Sequence, residues 1–185
     1  MPNWCNNNIS ISGPIETIRT LWEQATQSDN EELGLLDAMH PMPRELHDTT
    51  KGSNGDDVNW YDWRVSNWGT KWEVSSEGLE FTDNGDGTAS IDGWFDSAWA
   101  PPIGAYENFC DMMDNCSLSA SYYEPGMDFA GFYIDGEDEY LEDLHAQSKL
   151  PEDQQSDLFR RLDEEFGLSE QFEQWDDDAE MLIDE

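Results

Sequence analysis

The sequence predicts an α+β fold, in which a ferredoxin-like antiparallel sheet carries two helices on one face and an acidic helical extension follows. Several segments alternate apolar and polar residues, as strands do, and turn residues lie beside them. Two segments with helical periodicity separate these predicted strands into groups. Their order is strand, helix, strands, helix, strands, which is typical of a ferredoxin-like sandwich. The composition then changes after Ile134, because residues 135–185 hold 20 acids and 3 bases. We therefore expect a domain at 1–134 and an extension at 135–185.

The first predicted elements are a strand and a helix. Residues 4–12 alternate and end at Gly13-Pro14, which predicts a strand and a turn. Pro14 opens a predicted helix over roughly 15–27. Its apolar face consists of Ile15, Ile18, Leu21, Trp22 and Ala25. Residues 29–66 are mixed in character and predict no long element.

The rest of the sheet is predicted from turns and a second helix. Residues 72–75 and 78–81 resemble strands, and DNGDG at 83–87 predicts a hairpin turn before a strand over 88–97. A helix over 103–114 is expected to face inward with Ile103, Tyr106, Phe109, Cys110 and Met113. Residues 118–123 and 128–134 form a further predicted hairpin, which turns through Glu124-Pro125-Gly126.

The extension predicts two acidic amphipathic helices. Pro151 starts the first, with Leu158, Leu162 and Phe166 on one side and Gly167 at its end. Ser169 can cap the second, whose apolar residues are Phe172, Trp175, Ala179 and Leu182. We expect both helices to pack on the domain or on a partner.

The charge is strongly one-sided. The chain of 185 residues has 43 Asp and Glu against 8 Lys and Arg, a net charge of -35, and no base lies between Lys71 and Lys149. Binding to nucleic acid or to an anionic membrane needs clustered bases, so we expect neither. No apolar run is long enough to span a membrane, and the N-terminus does not resemble a secretory signal. Three unpatterned cysteines predict reduced thiols and a cytoplasmic protein.

The motifs of catalysis and metal binding are missing from the sequence. There is no nucleophile motif, glycine-rich phosphate loop or HExxH, so we expect no enzyme, no catalytic residue and no cofactor. The DNGDG turn does not fit a calcium loop, because Thr82 and Gly93 would occupy ligand positions. The spacing of the cysteines and histidines does not fit a zinc site, so no metal is expected.

The strings WGTKW at 68–72 and FDSAWAPP at 95–102 are the most distinctive. They could form an aromatic groove for a ligand, or their tryptophans could fill the core. The sequence favours the core interpretation. We also expect Lys71 to pair with a nearby carboxylate.

Three explanations of the acid excess differ in what they require. A solubilising tail does not account for it, because residues 1–134 alone carry 23 acids and 5 bases. Adaptation to high salt agrees with the scarcity of Lys, although nine tryptophans are unlike the small cores expected there. The third explanation is a folded surface that presents carboxylates where a DNA-binding protein expects phosphates.

A resemblance to a known family extends over roughly residues 1–134. It depends on four motifs, namely MPNWCN at 1–6, WGTKW at 68–72, FDSAWAPP at 95–102, and YEPG at 123–126 together with FAG at 129–131. The chain resembles a largely uncharacterised family of small phage- and plasmid-borne proteins with a ferredoxin-like domain. The resemblance implies that fold and a mobile-element setting, and it implies no catalytic residue. Residues 135–185 look like a departure from the family.

The resulting hypothesis is a cytoplasmic DNA-mimic inhibitor from a phage or plasmid. Its partner would be a host DNA-binding protein with a basic cleft, such as a restriction or CRISPR complex. The alternative is a non-mimic interaction module whose C-terminal helices dock on a partner. The acids expected to converge on one partner-binding face are Glu137, Asp138, Glu139, Glu142, Asp143, Asp163, Glu164, Glu170, Glu173, Asp176, Asp177, Asp178 and Glu180.

Overall fold

A computed structural model describes residues 2–26, 34–49 and 58–183, with side chains described as far as Asp178. The strands are β1 (Trp4–Pro14), β2 (Leu79–Asp83), β3 (Thr88–Ala98), β4 (Ser117–Glu124), β5 (Phe129–Ile134) and β6 (Glu137–Glu142). The helices are α1 (Ile15–Thr26), α2 (Leu35–Met39), α3 (Trp60–Asn67), α4 (Ile103–Met112), α5 (Leu144–Ser148), α6 (Asp157–Phe166) and α7 (Leu168–Ile183). None of the helices in these ranges is both long and apolar enough to cross a bilayer.

The strands form one antiparallel sheet in the order β2-β3-β1-β4-β5-β6. The first four strands, with α1 after β1 and α4 after β3, have the connections of the ferredoxin-like fold. The predicted fold class is therefore confirmed. Strands β5 and β6 extend the sheet beyond this core, and β6 comes from the acidic extension.

Alternation along β1 assigns its side chains to the two faces of the sheet. Cys5, Ile9 and Ile11 are buried on one face, where α1 and α4 pack. The helices contribute Ile18, Leu21, Tyr106 and Phe109 to this core. The predicted inward faces of both helices are thus confirmed at their central positions, whereas Met113 at the end of α4 is 36% exposed.

The C-terminal helices cover part of the opposite face. Tyr123 of β4 and Ala130 of β5 lie in a second core with Phe159, Leu162, Leu168 and Phe172 from α6 and α7. The sheet therefore lies between two helical layers at its β4-β5-β6 side. On the β2-β3-β1 side, the same face carries exposed polar and aromatic residues, namely Glu80, Asp92, Trp94 and Asp96.

The structure corrects several sequence-based predictions. Residues 72–75 are not a strand, and neither α3 nor β6 was predicted. The helix expected from Pro151 begins at Asp157, where Ser156 accepts a hydrogen bond from the backbone nitrogen of Phe159, and a 3-10 turn follows Pro151 instead. The hairpin turn between β2 and β3 agrees with the prediction. Gly13-Pro14, which was predicted as a turn, instead ends β1 in register with β3, and α1 follows directly.

Candidate functional site

The predicted acidic residues of the extension begin on the edge strand β6. Glu137 and Glu139 lie on the sheet face that α6 covers, and Asp138 and Glu142 lie on the opposite face. Asp143 follows in a left-handed conformation with φ of 56°. All five side chains are exposed, but alternation divides the four strand residues between two faces of the sheet.

Among the described residues, four of the predicted acids have side-chain partners. Asp138 accepts a hydrogen bond of 2.6 Å from the Tyr122 hydroxyl, and Glu139 pairs with Arg161 at 2.9 Å. Burial raises the pKa of Tyr122, and the bond to Asp138 raises it further. These acids stabilise the fold as well as contributing charge. The other two are the half-buried Asp163, which accepts hydrogen bonds from the backbone and hydroxyl of Ser169, and Asp176, which contacts His145 and Lys149.

The outer surfaces of α6 and α7 carry the remaining charge. Glu170, Glu173 and Asp177 follow the helical repeat on the side of α7 opposite Leu168 and Phe172, which are buried. Glu164 is exposed on α6, and Asp178 is exposed on α7. Glu180 lies within α7, but its side chain is outside the described residues. The structure thus places these positions on two helices that contact each other.

Acids also occur on the other side of the sheet. Glu23 on α1 and Glu107 and Asp111 on α4 are exposed, and both helices pack on the face opposite α6 and α7. The exposed carboxylates of the molecule therefore do not all lie on one face. Acids are more frequent in the extension, with 20 in 51 residues, than in residues 1–134, which hold 23.

The basic residues are largely engaged by the chain itself. Each of the three bases of the extension pairs with a carboxylate: Lys149 with Asp176, Arg160 with Asp157, and Arg161 with Glu139. Arg19 pairs with Glu16 at 3.1 Å. Arg64 is buried, with its guanidinium 4.7 Å from the Trp68 ring centroid. Arg44 is exposed, and Lys51 lies outside the described residues.

The two tryptophan strings divide between core and surface. Trp68 is fully buried and its indole nitrogen donates a hydrogen bond to the His40 carbonyl at 2.8 Å, as the core interpretation requires. That interpretation is wrong for Trp72 and Trp99, which are 36% and 37% exposed. Lys71 has no ion pair among the described residues, and its ammonium lies 4.3 Å from the Trp72 ring centroid and 5.3 Å from that of Trp99. Cation–π contacts thus replace the expected carboxylate partner.

Two further tryptophans project from the uncovered part of the sheet. Trp94 on β3 is 61% exposed and Trp4 on β1 is 45% exposed. Both occupy the polar positions of strands whose alternate residues, such as Cys5 and Phe95, are buried. That alternation is the sequence signal that could have revealed them. With Glu73, Glu77 and Asp96 they line an open cleft of about 610 Å³, which we call the tryptophan cleft.

A pair of glycines fixes Trp94 in this cleft. A Cβ atom on Gly78 would lie 2.3 Å from the Trp94 carbonyl oxygen and 3.1 Å from its ring. Gly93 has φ of 146°, and its Cβ would lie 2.1 Å from the Gly78 carbonyl oxygen. Because β2 and β3 approach this closely, one side of the indole packs against the Gly78 backbone. Much of the ring remains open to solvent.

Glu73 is another residue that lines the cleft. It accepts hydrogen bonds from the backbone nitrogens of Leu36 at 2.7 Å and Asp37 at 2.9 Å, at the start of α2. Burial of the carboxylate raises the pKa of Glu73 to about 7, against the opposing effect of these bonds. Its charge therefore changes near neutral pH.

Other reactive groups lie away from this cleft or are inert. Burial raises the pKa of the Cys5 thiol to about 12, so the thiol is neutral and a poor nucleophile. In the part of the chain that the structure describes, no three His, Cys, Asp or Glu side chains are grouped to hold a metal.

The comparisons with known proteins identify the family. A model described as "Ferredoxin-like domain in Api92-like protein" matches residues 67–180. The chain belongs to this family. A crystal structure of the protein api92 from Yersinia pseudotuberculosis is similar at 20% identity and a TM-score of 0.34, over 48% of this chain and 31% of that chain. The chain thus aligns with about a third of that protein's length, and no curated protein matches it.

The range matched by the family of Api92-like ferredoxin-like domains differs from the range of roughly 1–134 expected from the sequence motifs. The strings at 68–72, 95–102 and 123–131 lie within the matched range, whereas MPNWCN at 1–6 lies outside it. The match also includes β6, α5 and α6 and most of α7. The acidic extension is therefore part of the family's ferredoxin-like domain rather than a departure from it.

Proposed function

We propose that this protein is a DNA-mimic inhibitor from a phage or plasmid, which occupies the DNA-binding cleft of a host defence protein such as a restriction or CRISPR complex. One observation carries the proposal: the extension exposes an excess of carboxylates while all three of its bases are paired within the chain. Each cation of the extension is therefore offset by a neighbouring carboxylate, and the remaining charge of the extension is negative.

The physical basis is the field of a one-signed surface. Exposed carboxylates on α6, α7 and β6 attract a cationic cleft over about a Debye length, which is ~8 Å at physiological salt. The backbone positions of these residues are fixed by the helices and the strand, so a partner has to order only their side chains on binding. Glu170, Glu173 and Asp177 form a continuous row along α7 that could replace a run of phosphates.

The proposed inhibitor acts by occupation alone, in the cytoplasm of the cell that carries the phage or plasmid. It transforms no substrate and binds no nucleic acid itself. Its affinity depends on salt in the manner of DNA, because both ligands displace the ions around a basic cleft.

The experiment compares two variants of equal net charge. One carries Lys at Glu164, Glu170, Glu173 and Asp177, whose side chains are exposed and form no hydrogen bond or ion pair with other described residues. The control carries Lys at Glu23, Glu45, Glu107 and Asp111, which are exposed elsewhere on the molecule. Each protein is immobilised, host lysate is passed over it, and retained proteins are eluted in a salt series and then tested for competition with double-stranded DNA.

We expect the parent and the control to retain a DNA-binding protein that elutes at moderate salt and is displaced by DNA. The extension variant should lose most of this retention. If both variants lose it equally, net charge rather than a mimic surface is responsible and the proposal fails. A partner that resists salt and ignores DNA would instead identify an interaction module.

A further inference from the structure

The tryptophan cleft lies outside the acidic extension and is not used by the proposed inhibitor. Its walls are the indoles of Trp4 and Trp94, and its carboxylates are those of Glu73, Glu77 and Asp96. These residues come from β1, β3 and the segment before β2. Among the described residues, those that line the cleft include three acids and no base, so the charge of the lining is complementary to that of a cationic ligand.

We propose that the tryptophan cleft binds an arginine side chain of a partner protein, with the guanidinium stacked on Trp94 and paired with Asp96. A planar guanidinium both stacks on an indole and forms paired hydrogen bonds with a carboxylate, which an ammonium group does not. The exposed surface of Trp94 supplies the stacking face.

The geometry of the cleft is prepared for such a ligand. Trp94 is held by its contact with Gly78, so its ring is positioned before binding. Asp96 is exposed, and its Oδ1 atom accepts a hydrogen bond of 2.7 Å from the Asn6 side chain, which fixes the orientation of the carboxylate. Little side-chain freedom is therefore lost when a ligand enters.

The chain already places a cation against indole rings beside the cleft. Lys71 lies against the Trp72 and Trp99 rings, and Trp72 lies 6.0 Å from Trp4 between ring centroids. The aromatic surface that continues from the cleft thus holds a cation of the protein itself. Trp4 and Trp94 present indoles of the same kind without a cation from the described part of the chain on them.

The test uses short peptides as probes. The protein is labelled with 5-fluorotryptophan, and its fluorine resonances are assigned by replacing each tryptophan in turn with Phe. Acetyl-Gly-Arg-Gly-Arg-Gly-amide is titrated at physiological salt, along with peptides that carry lysine or uncharged citrulline in place of arginine. We expect the arginine peptide to shift the Trp94 and Trp4 resonances most, the lysine peptide less, and the citrulline peptide hardly at all.

Two variants and one matched control then locate the site. Trp94→Ala should lower the affinity for the arginine peptide about fivefold or more, as the loss of a cation–π contact predicts. Asp96→Asn should lower this affinity about threefold or more. Asp111→Asn, which removes the same charge from α4, should leave the affinity unchanged. Asp96→Asn keeps the shape of the side chain, so it remains informative if Trp94→Ala fails to fold.

The proposal is overturned if Asp96→Asn and Asp111→Asn lower the affinity for the arginine peptide equally. It is also overturned if the peptide shifts the fluorine resonances of all the tryptophans to a similar extent. Either result would mean that arginine is attracted by net charge alone. The inference does not depend on the proposed inhibitor function. The variant with Lys at Glu164, Glu170, Glu173 and Asp177 should keep the Trp94 shift even if it loses its DNA-binding partner.

Discussion

The carboxylate of Glu165 on α6 accepts a hydrogen bond of 2.7 Å from the Ser121 hydroxyl on β4. The Asn8 side chain of β1 donates to the same oxygen at 3.4 Å. One acid of the extension therefore connects its helix to two strands of the sheet. Glu165 was not among the acids predicted to bind a partner. These contacts distinguish it from its neighbour Glu164, whose exposed side chain has no hydrogen-bond partner among the described residues.

Glu165→Ala should destabilise the protein by about 1 kcal/mol relative to Glu164→Ala, because it also removes a charged hydrogen bond. Both replacements remove one negative charge from an exposed position of the same helix. Helix propensity and net charge therefore cancel in the comparison. Urea unfolding of the two variants measures the difference, and equal midpoints would show that the Ser121 bond contributes nothing.

Phe159→Ala should release the C-terminal helices. Phe159 is fully buried in the core shared with Tyr123 and Ala130, so its truncation should cost about 3–5 kcal/mol. Trp175 was predicted on the apolar side of the second helix of the extension, but it is 44% exposed, and Trp175→Ala should have a much smaller effect. Limited proteolysis with mass spectrometry should find faster cleavage between α5 and α7 in Phe159→Ala. Equal rates of cleavage in the two variants would contradict the prediction that Phe159 stabilises this region more than Trp175 does.

Glu73 should make stability fall as pH rises. The folded protein holds the Glu73 proton with a pKa of about 7, whereas the ordinary value is 4.5. Between these values the folded state binds more protons than the unfolded state, so the free energy of unfolding decreases with increasing pH and levels off above about 7.

The Glu73→Gln variant should lack this component, which is at most about 3 kcal/mol. Unfolding in urea between pH 5 and 8 measures it as the difference between wild type and variant. Glu77→Gln, in the same cleft but exposed, is the matched control and should follow the wild-type profile. A constant difference between wild type and Glu73→Gln across this range would refute the assignment.

Salt should raise the melting temperature. With a net charge of -35, repulsion between exposed carboxylates destabilises the compact state. Screening reduces that repulsion as the Debye length falls from ~30 Å at 0.01 M to ~3 Å at 1 M salt. Calorimetry in sodium chloride measures the trend, with the four-lysine variants as controls that should respond less. A melting temperature independent of salt would mean that the acids do not repel one another appreciably.

Local sequence patterns were sufficient to predict most elements of the ferredoxin-like core. Alternation in β1, the spacing of Ile18, Leu21 and Ala25 in α1, and the DNGDG turn each depend on neighbouring residues. Strand β6 was missed because four of its six residues are acidic, a composition that is depleted in strands. Pairing with β5 stabilises it in spite of that composition, and no local pattern reports such pairing.

The division of the tryptophans also required the tertiary structure. Trp68 and Trp72 occur in one string of five residues, yet one is in the core and the other is at the surface. Their positions depend on contacts distant in the sequence, such as that of Trp68 with the His40 carbonyl and that of Trp72 with Trp4.

The sequence by itself determined the fold class, the order of its main elements, and the charge. Each follows from residues close together in the chain or from composition, which folding does not change. Only the tertiary structure decided which acids are paired, such as Glu139 with Arg161, and which tryptophans meet carboxylates in a cleft. Those relationships join residues far apart in the sequence, because the packing of helices and strands, rather than local periodicity, sets which side chains become neighbours.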